Sequence, residues 1–463
     1  MDAMTEHTDV AIVGARCAGS PLAALLAHRG VRVTVLERAT FPQDTLSSHL
    51  FEADALAFLD RLGVTEQLRA TGAPYVARTD TRIEDVHLDM ELPLKPGDVG
   101  GIASVRRWLL DPILADAAAQ AGAQVRMGAQ VTGLLREHGR VTGVRVREDG
   151  RESDLRARLV VGADGRHSTV ARLAGARRYN TTPNQRLLFW RFFENADPEM
   201  TFLSHRWEDK FILGIPSDSG LYQVLLWPEM AELERFRADR DAAFMEHARQ
   251  CEPVAAALAS ATPAGKTIGV YRWEGFFREA SGLGWVLTGD AGHFKSPAPG
   301  RGIGDAFLQA QSLAPAIADA LEGPEETLDA ATARWGRERK REFAEHYWLA
   351  YDLEEAGTVP AVLVEMMRRL QQQGQAGRFF DVLNHRARPS QVLTPPRVAG
   401  ASARLLARRG TARRALLAEV GSLGVREARR RWLNARPVYA PADDAGEHTA
   451  EAAAEDEVSA AGT

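Results

Sequence analysis

The chain has 463 residues, 45% of them hydrophobic and 26% charged, with 57 Lys or Arg against 62 Asp or Glu and a formal net charge of −5. That length allows two or three domains with ample core. The charge balance provides no global field to draw nucleic acid or acidic lipid, and two cysteines, Cys17 and Cys251, exclude a disulfide framework. No metal-ligand spacing, signal peptide or apolar run long enough to cross a membrane is legible, so a cytoplasmic protein without a membrane span is expected.

Residues 10–13 form an apolar run of strand type. Gly14-Ala15-Arg16-Cys17-Ala18-Gly19 makes a tight turn, residues 21–28 have helical apolar spacing, and residues 31–36 alternate as a second strand closed by Glu37 and Arg38. This is a strand–turn–helix–strand unit with the pattern of a dinucleotide site. Its acid, eighteen residues beyond Gly19, is placed for a ribose hydroxyl. Arg16 stands where a middle glycine is usual. It must point away, or add its charge to a phosphate.

A loop at 41–49 carries Ser47, Ser48 and His49. The spacing then predicts a helix over 51–62, strand-like alternation over 79–94, and an amphipathic helix over 106–121 with Arg106 and Arg107 at its start. Strand-like runs follow at 124–126, 130–136, which includes Val131, and 141–147. A buried strand at 159–161 ends in Gly162-Ala163-Asp164-Gly165.

From about 187 to 273 aromatics crowd into alternating runs such as 210–215 and 221–227, as in an inserted antiparallel sheet. A single such ring is more often core than pocket wall, but the group suits the roof of an apolar cavity. The strand at 285–287 meets Gly289-Asp290, then a Gly/Pro turn with Pro297, Pro299, Gly300, Gly302, Ile303 and Gly304 feeding a helix. A carboxylate and free backbone N–H groups at one spot suit hydroxyls and an electron-rich ring edge or phosphate. His293 reads as a packing residue and Lys295 as a surface lysine. Beyond 309 the pattern is helical, with a joint at 389–396, an Arg-rich stretch at 403–433 that reads as a solvated face, and a tail at 441–463 expected to be disordered.

Three fragments, the unit at 10–37, the Val161–Ser168 stretch (VGADGRHS) and the Gly289–His293 stretch (GDAGH) with Pro297, Gly300 and Gly302, together resemble the para-hydroxybenzoate hydroxylase type of group A flavin monooxygenases. The resemblance implies an α/β fold: an FAD-binding Rossmann-like three-layer domain in two parts (8–180 and 281–325), an inserted antiparallel-sheet substrate domain (181–280) and a helical C-terminal region (326–440). It implies that Gly14, Ala15, Arg16 and Gly19 turn under the FAD pyrophosphate and that Glu37, with Arg38, holds the adenosine ribose. Arg107, or Arg106, would meet the pyrophosphate or ribityl chain, and Val131 the adenine. Asp164 and Gly165 would sit near flavin and nicotinamide, Asp290 on the ribityl hydroxyls, and Pro297, Gly300, Gly302 and Ile303 along the flavin edge. Ser48 and His49 would pass the ring, with His49 the candidate to orient substrate or move a proton.

The activity so implied is oxygenation of an aromatic or other apolar small molecule by a monomer or homodimer. It would use NADH or NADPH and O2, through a flavin C4a-hydroperoxide. A prenyl-reductase-like flavoenzyme is the alternative. A halogenase is disfavoured because W-x-W-x-I-P is absent, residues 211–216 reading FILGIP.

Overall fold

In the computed structural model, which describes residues 6–43, 45–408 and 412–440, five strands lie parallel in one sheet. Their order is Trp285–Leu287, Arg151–Gly162, Glu6–Val13, Val33–Glu37 and Gln124–Met127. The central strands read as continuous apolar runs because both faces are covered. Helices Gly19–Ala27, Arg107–Gln120, Gly302–Leu321 and Glu325–Leu353 cover one face, closing a core around Val10, Ile12, Leu22, Leu159, Leu313 and Trp335. The antiparallel strands Gln130–Glu137 and Arg140–Glu148 fold over the other face, around Val13, Val131, Val144, Val160 and Leu287. The expected α/β fold with its three-layer domain, inserted sheet and C-terminal helices is thus observed.

The second large sheet has the order Thr262–Val270, Leu188–Glu194, Tyr222–Leu226, Lys210–Pro216, Phe202–Trp207, Arg78–Ile83 and Val86–Glu91. It draws on two stretches of chain, since the hairpin at 78–91 pairs in parallel with Phe202–Trp207. Strand alternation sorts its aromatics. Phe189, Phe193 and Tyr222 face the helices Leu233–Ala238, Arg240–Ala248 and Glu252–Ala257, whereas Trp190, Phe192, Phe211 and Trp227 face Leu50, Ala298 and Phe380.

Local departures have physical causes. Residues 50–52 are a short strand before the helix Ala53–Arg61, because Leu50–Glu52 completes a ladder with Ile102–Ser104. Arg106 caps rather than begins its helix, its backbone N–H and guanidinium both held by Asp218. Lys295 is buried rather than at the surface, paired with Asp305 at 2.5 Å. The Arg-rich stretch forms helices Pro395–Ala407 and Arg413–Ala435 and is partly engaged, Arg426 pairing with Glu355 and Arg430 with Asp352. The tail expected to be disordered lies outside the described residues. No helix among the described residues is long and apolar enough to cross a membrane.

Phe189 is fully buried, its ring stacked on Phe236 at 4.2 Å and covering Gly269. Phe189→Ala should lower unfolding stability by about 3–5 kcal/mol, read as a fall in the urea midpoint at unchanged m-value.

Candidate cofactor-binding site

The three motifs meet because three parallel strands end at one level. Ala163 donates its N–H to Val13 O at 2.8 Å, Thr288 to Gly162 O at 2.9 Å, and Gly14 to Leu36 O at 2.8 Å. Ligands of open α/β sheets bind outside such carboxyl ends. The turns approach so closely that side chains are excluded. A Cβ on Gly14 would lie 2.5 Å from Ala163 O at a φ of +101°, and one on Gly19 would lie 1.8 Å from Gly14 O. A Cβ on Gly165 or Gly302, by contrast, would meet no heavy atom of another segment within 4 Å, so the space beside both backbones is open.

Glu37 is buried, its carboxylate accepting the N–H groups of Ala15 at 2.9 Å and Ala39 at 3.0 Å. It therefore locks the turn it is expected to serve. Arg38 beside it is exposed, and Val131 is buried within its strand pair. Arg16 is led sideways: its guanidinium donates to Asp111 at 2.8 Å and lies 5.2 Å from the Phe41 ring centroid. Asp111, fully buried, also takes both prongs of Arg107 at 2.6 and 3.0 Å. Burial works against the Arg107 charge, but Asp111 more than offsets it and holds the pKa above the usual range.

Asp290, only partly exposed, accepts no hydrogen bond from the described residues. Burial raises its pKa to about 6, with Arg166 and Arg107 pulling the other way. A partly exposed acid without a donor among the described residues is a ready acceptor for ligand hydroxyls. Beyond it Pro297 O accepts the Gly300 N–H at 2.8 Å, and the helix Gly302–Leu321 begins with no side-chain cap. The N–H groups of Gly302 and Ile303 thus remain for a ligand at a positive helix end. Asp164 is committed locally. Its carboxylate accepts Ser168 Oγ at 2.5 Å and Val170 N–H at 3.1 Å, capping the helix Thr169–Ala174.

His49 is buried between the motif loops and the second sheet, with ring centroids 5.4 Å from Phe192 and 6.2 Å from Trp190. Its Nδ1 accepts the Arg107 N–H at 3.2 Å, which leaves the proton on Nε2. Burial, with Arg107 and Arg106, lowers its pKa to about 3. The imidazole is neutral across the physiological range, so it can donate a hydrogen bond to substrate but does not titrate near neutrality. Ser48 contributes its carbonyl, which accepts from Gln223 at 3.1 Å.

Several supporting residues have no sequence signature. Arg339, on the helix Glu325–Leu353, donates to Leu287 O at 3.0 Å and Gly292 O at 3.1 Å, clamping the turn around Asp290 from below. Arg278 joins the second and third motifs through Arg166 O and Ala291 O, both at 2.9 Å. Arg301, buried, is held by Glu52 and Asp54, and Asp305 by Lys295 and His385. Burial opposes the Asp305 charge, yet Lys295, then His385, keeps its pKa well below the usual carboxylate range. His293 packs among Phe277, Phe343 and Tyr347, in keeping with a packing role.

The "FAD binding domain" family model matches residues 7–342. The chain belongs to this family. It is therefore an FAD-dependent oxidoreductase, in keeping with the resemblance to flavin monooxygenases. It is 29% identical over 355 residues to 6-methylpretetramide 4-monooxygenase of Streptomyces rimosus, covering 72% of this chain and 82% of that protein. It is 28% identical over 331 residues to digeranylgeranylglycerophospholipid reductase of Methanocella arvoryzae, covering 69% and 79%. Among solved structures, the flavin-dependent brominase Bmp2 superposes with a TM-score of 0.70 at 17% identity over 86% of this chain and 98% of that one, a likeness of fold.

Two outcomes follow from this geometry. Gly14→Ala should purify without flavin while the helical and strand signals of circular dichroism remain; retention of FAD at wild-type level would contradict the packing argument. For His49 the pKa of about 3 lies below the ordinary 6.5, so the unfolded state takes up the proton and the folded state does not. Stability linked to this residue is thus present above pH 6.5 and is lost as pH falls. His49→Gln should gain about 2 kcal/mol relative to the wild type between pH 7 and pH 5, measured as the difference of two urea titrations.

Proposed function

We propose that this protein is a single-component FAD monooxygenase that uses NADH or NADPH and O2 to oxygenate an aromatic or other apolar small molecule. The observation that carries the reading is the Asp290 carboxylate, which accepts no hydrogen bond from the described residues, beside the uncapped start of the helix Gly302–Leu321, together with the apolar sheet face of Trp190, Phe192 and Leu213 that packs on Ala298 of the same loop. A dinucleotide with a ribityl chain and an electron-rich ring edge fits these donors and acceptors. When bound, FAD supplies the electron transfer and the activation of O2, which protein side chains cannot perform.

The chain's own residues divide the remaining tasks. Glu37 orders the turn that would lie under the pyrophosphate and would hold the ribose, while Arg16 and Arg107, anchored on Asp111, would keep positive charge near the phosphates. Asp290 would accept ribityl hydroxyls. The Gly302 and Ile303 N–H groups are fixed dipoles for charge developing on the ring edge. Gly165 leaves the open side by which a nicotinamide can approach. Trp190, Phe192 and Leu213 exclude water from the reacting volume. His49 offers Nε2–H to orient the substrate and stays neutral while doing so.

A second reading has one observation in its favour. The Methanocella arvoryzae reductase aligns over 69% of this chain, and the same apolar roof would accept a prenyl chain for reduction. Oxygen decides between the two. For a monooxygenase, substrate accelerates NAD(P)H oxidation, O2 is consumed in step, and 18O from labelled O2 appears in product. Turnover in strict anaerobiosis with a reduced product would replace that reading with the reductase. Within either, Asp290→Asn keeps the shape of the turn but removes an ionised acceptor, and FAD affinity should fall by about tenfold, one charge-assisted hydrogen bond, measured by flavin fluorescence.

A further inference from the structure

The second sheet carries a polar cluster that the flavin chemistry does not use. Asp80, His87 and His205 stand on three neighbouring strands, Arg78–Ile83, Val86–Glu91 and Phe202–Trp207. Both imidazoles aim Nε2 at the same carboxylate oxygen: His87 Nε2 lies 2.6 Å and His205 Nε2 2.8 Å from Asp80 Oδ1. One ligand atom from each residue falls within 4.8 Å of the others. Behind His205, the Cys251 Sγ lies 3.5 Å from Nδ1, on the side of the ring away from Asp80. His205 is buried, Asp80 half-buried and the His87 side chain 58% exposed, so the cluster has an anchored floor and an open mouth.

We propose that Asp80, His87 and His205 bind a divalent transition-metal ion of the zinc class. Two imidazoles and one carboxylate are the donor set such ions take, and three protein ligands leave a position for water. The strand pairing sets the geometry. Asp80 lies next to the hairpin partner strand on one side and the parallel partner on the other, so the three side chains share a sheet face without any helix to bring them together. Cys251 is the outer partner that fixes the ring of His205, as metal-bound imidazoles require of their second nitrogen.

The site lies on the face of the sheet covered by the helices at 233–257, opposite the face of Trp190 and Phe192. It is therefore apart from the flavin site and independent of which flavin reaction the protein performs. Its effect would be to tie the edge hairpin to the sheet interior. The other face of that hairpin, Val86 and Leu88, packs on Val364, Met367 and Leu370 of the helix Ala361–Gln372, so the metal would steady the seat of the C-terminal helices. Sequence spacing conceals the set, because His205 follows His87 by 118 residues.

The test uses the full-length, tag-free, FAD-loaded protein after chelator dialysis, titrated with Zn(II) by calorimetry and with Co(II) by visible absorption. One equivalent of Zn(II) should bind and raise the thermal midpoint, and Co(II) should give the d–d bands of a four- or five-coordinate site. His87→Ala, at an exposed position, should weaken binding by about tenfold or more and abolish the thermal shift, and His205→Gln should do the same. His28→Ala, an exposed histidine elsewhere, should bind as the wild type. Absence of stoichiometric Zn(II) binding by the wild type, or wild-type affinity in His87→Ala, would overturn the proposal.

Discussion

The structure depends on one constraint, the level at which three parallel strands end. Glu6–Val13, Arg151–Gly162 and Trp285–Leu287 are bonded in register so that their last residues deliver three turns to one place. The contacts there are backbone against backbone. Gly14 faces the Ala163 carbonyl with no room for a methyl group, and Gly289 sits where a Cβ would be 2.7 Å from the Ala18 side chain. Glycine at these points is a consequence of packing density. The open space beside Gly165 and Gly302 is what the tight packing of their neighbours leaves for a ligand.

The C-terminal region makes this arrangement rigid. Helix Glu325–Leu353 sends Arg339 up to the carbonyls of the turn around Asp290, and its far end sends the backbone carbonyls of Leu353 and Glu355 to the buried guanidinium of Arg206. Arg186, fully buried, also donates to Glu355 O and to Trp227 O of the second sheet. A buried arginine is costly unless its charge and donors are satisfied. Here most of the terminal guanidinium N–H groups go to carbonyls of separate elements, which links both sheets and the long helix. The ion-pair group of Glu52, Asp54, Arg301, Asp305 and Lys295, with the His385 ring against Asp305, does the same at the start of helix Gly302–Leu321. These side chains hold the start of the helix whose Gly302 and Ile303 N–H groups are proposed to face the flavin.

Much of this is legible in the sequence, for definite reasons. The strand–turn–helix–strand unit at 10–37 is readable because apolar period and glycine spacing are local properties. The other two motifs are readable because each is a strand end followed by a turn. What the sequence hides is long-range. The hairpin at 78–91 joins a sheet formed mostly more than a hundred residues later, and nothing in its alternation names that partner. Arg278 and Arg339 resemble any surface arginine until their acceptors are seen. Lys295 reads as exposed because its partner, Asp305, sits a helical turn into the next element, where only folding brings it close. His49 stands out in its loop, but its proton affinity depends on burial and on two arginines it meets only in three dimensions.

The central claim is that the three strand ends form a site long enough for a whole dinucleotide, with Glu37 at one end and Asp290 at the other. Titration of flavin-stripped protein with FAD and with FMN tests it most directly. The account predicts tight FAD binding and FMN binding weaker by about a hundredfold, because FMN lacks the adenosine half and forfeits about 2–3 kcal/mol of contacts at the Glu37 end. Equal affinity for the two flavins, or none for either, would contradict it.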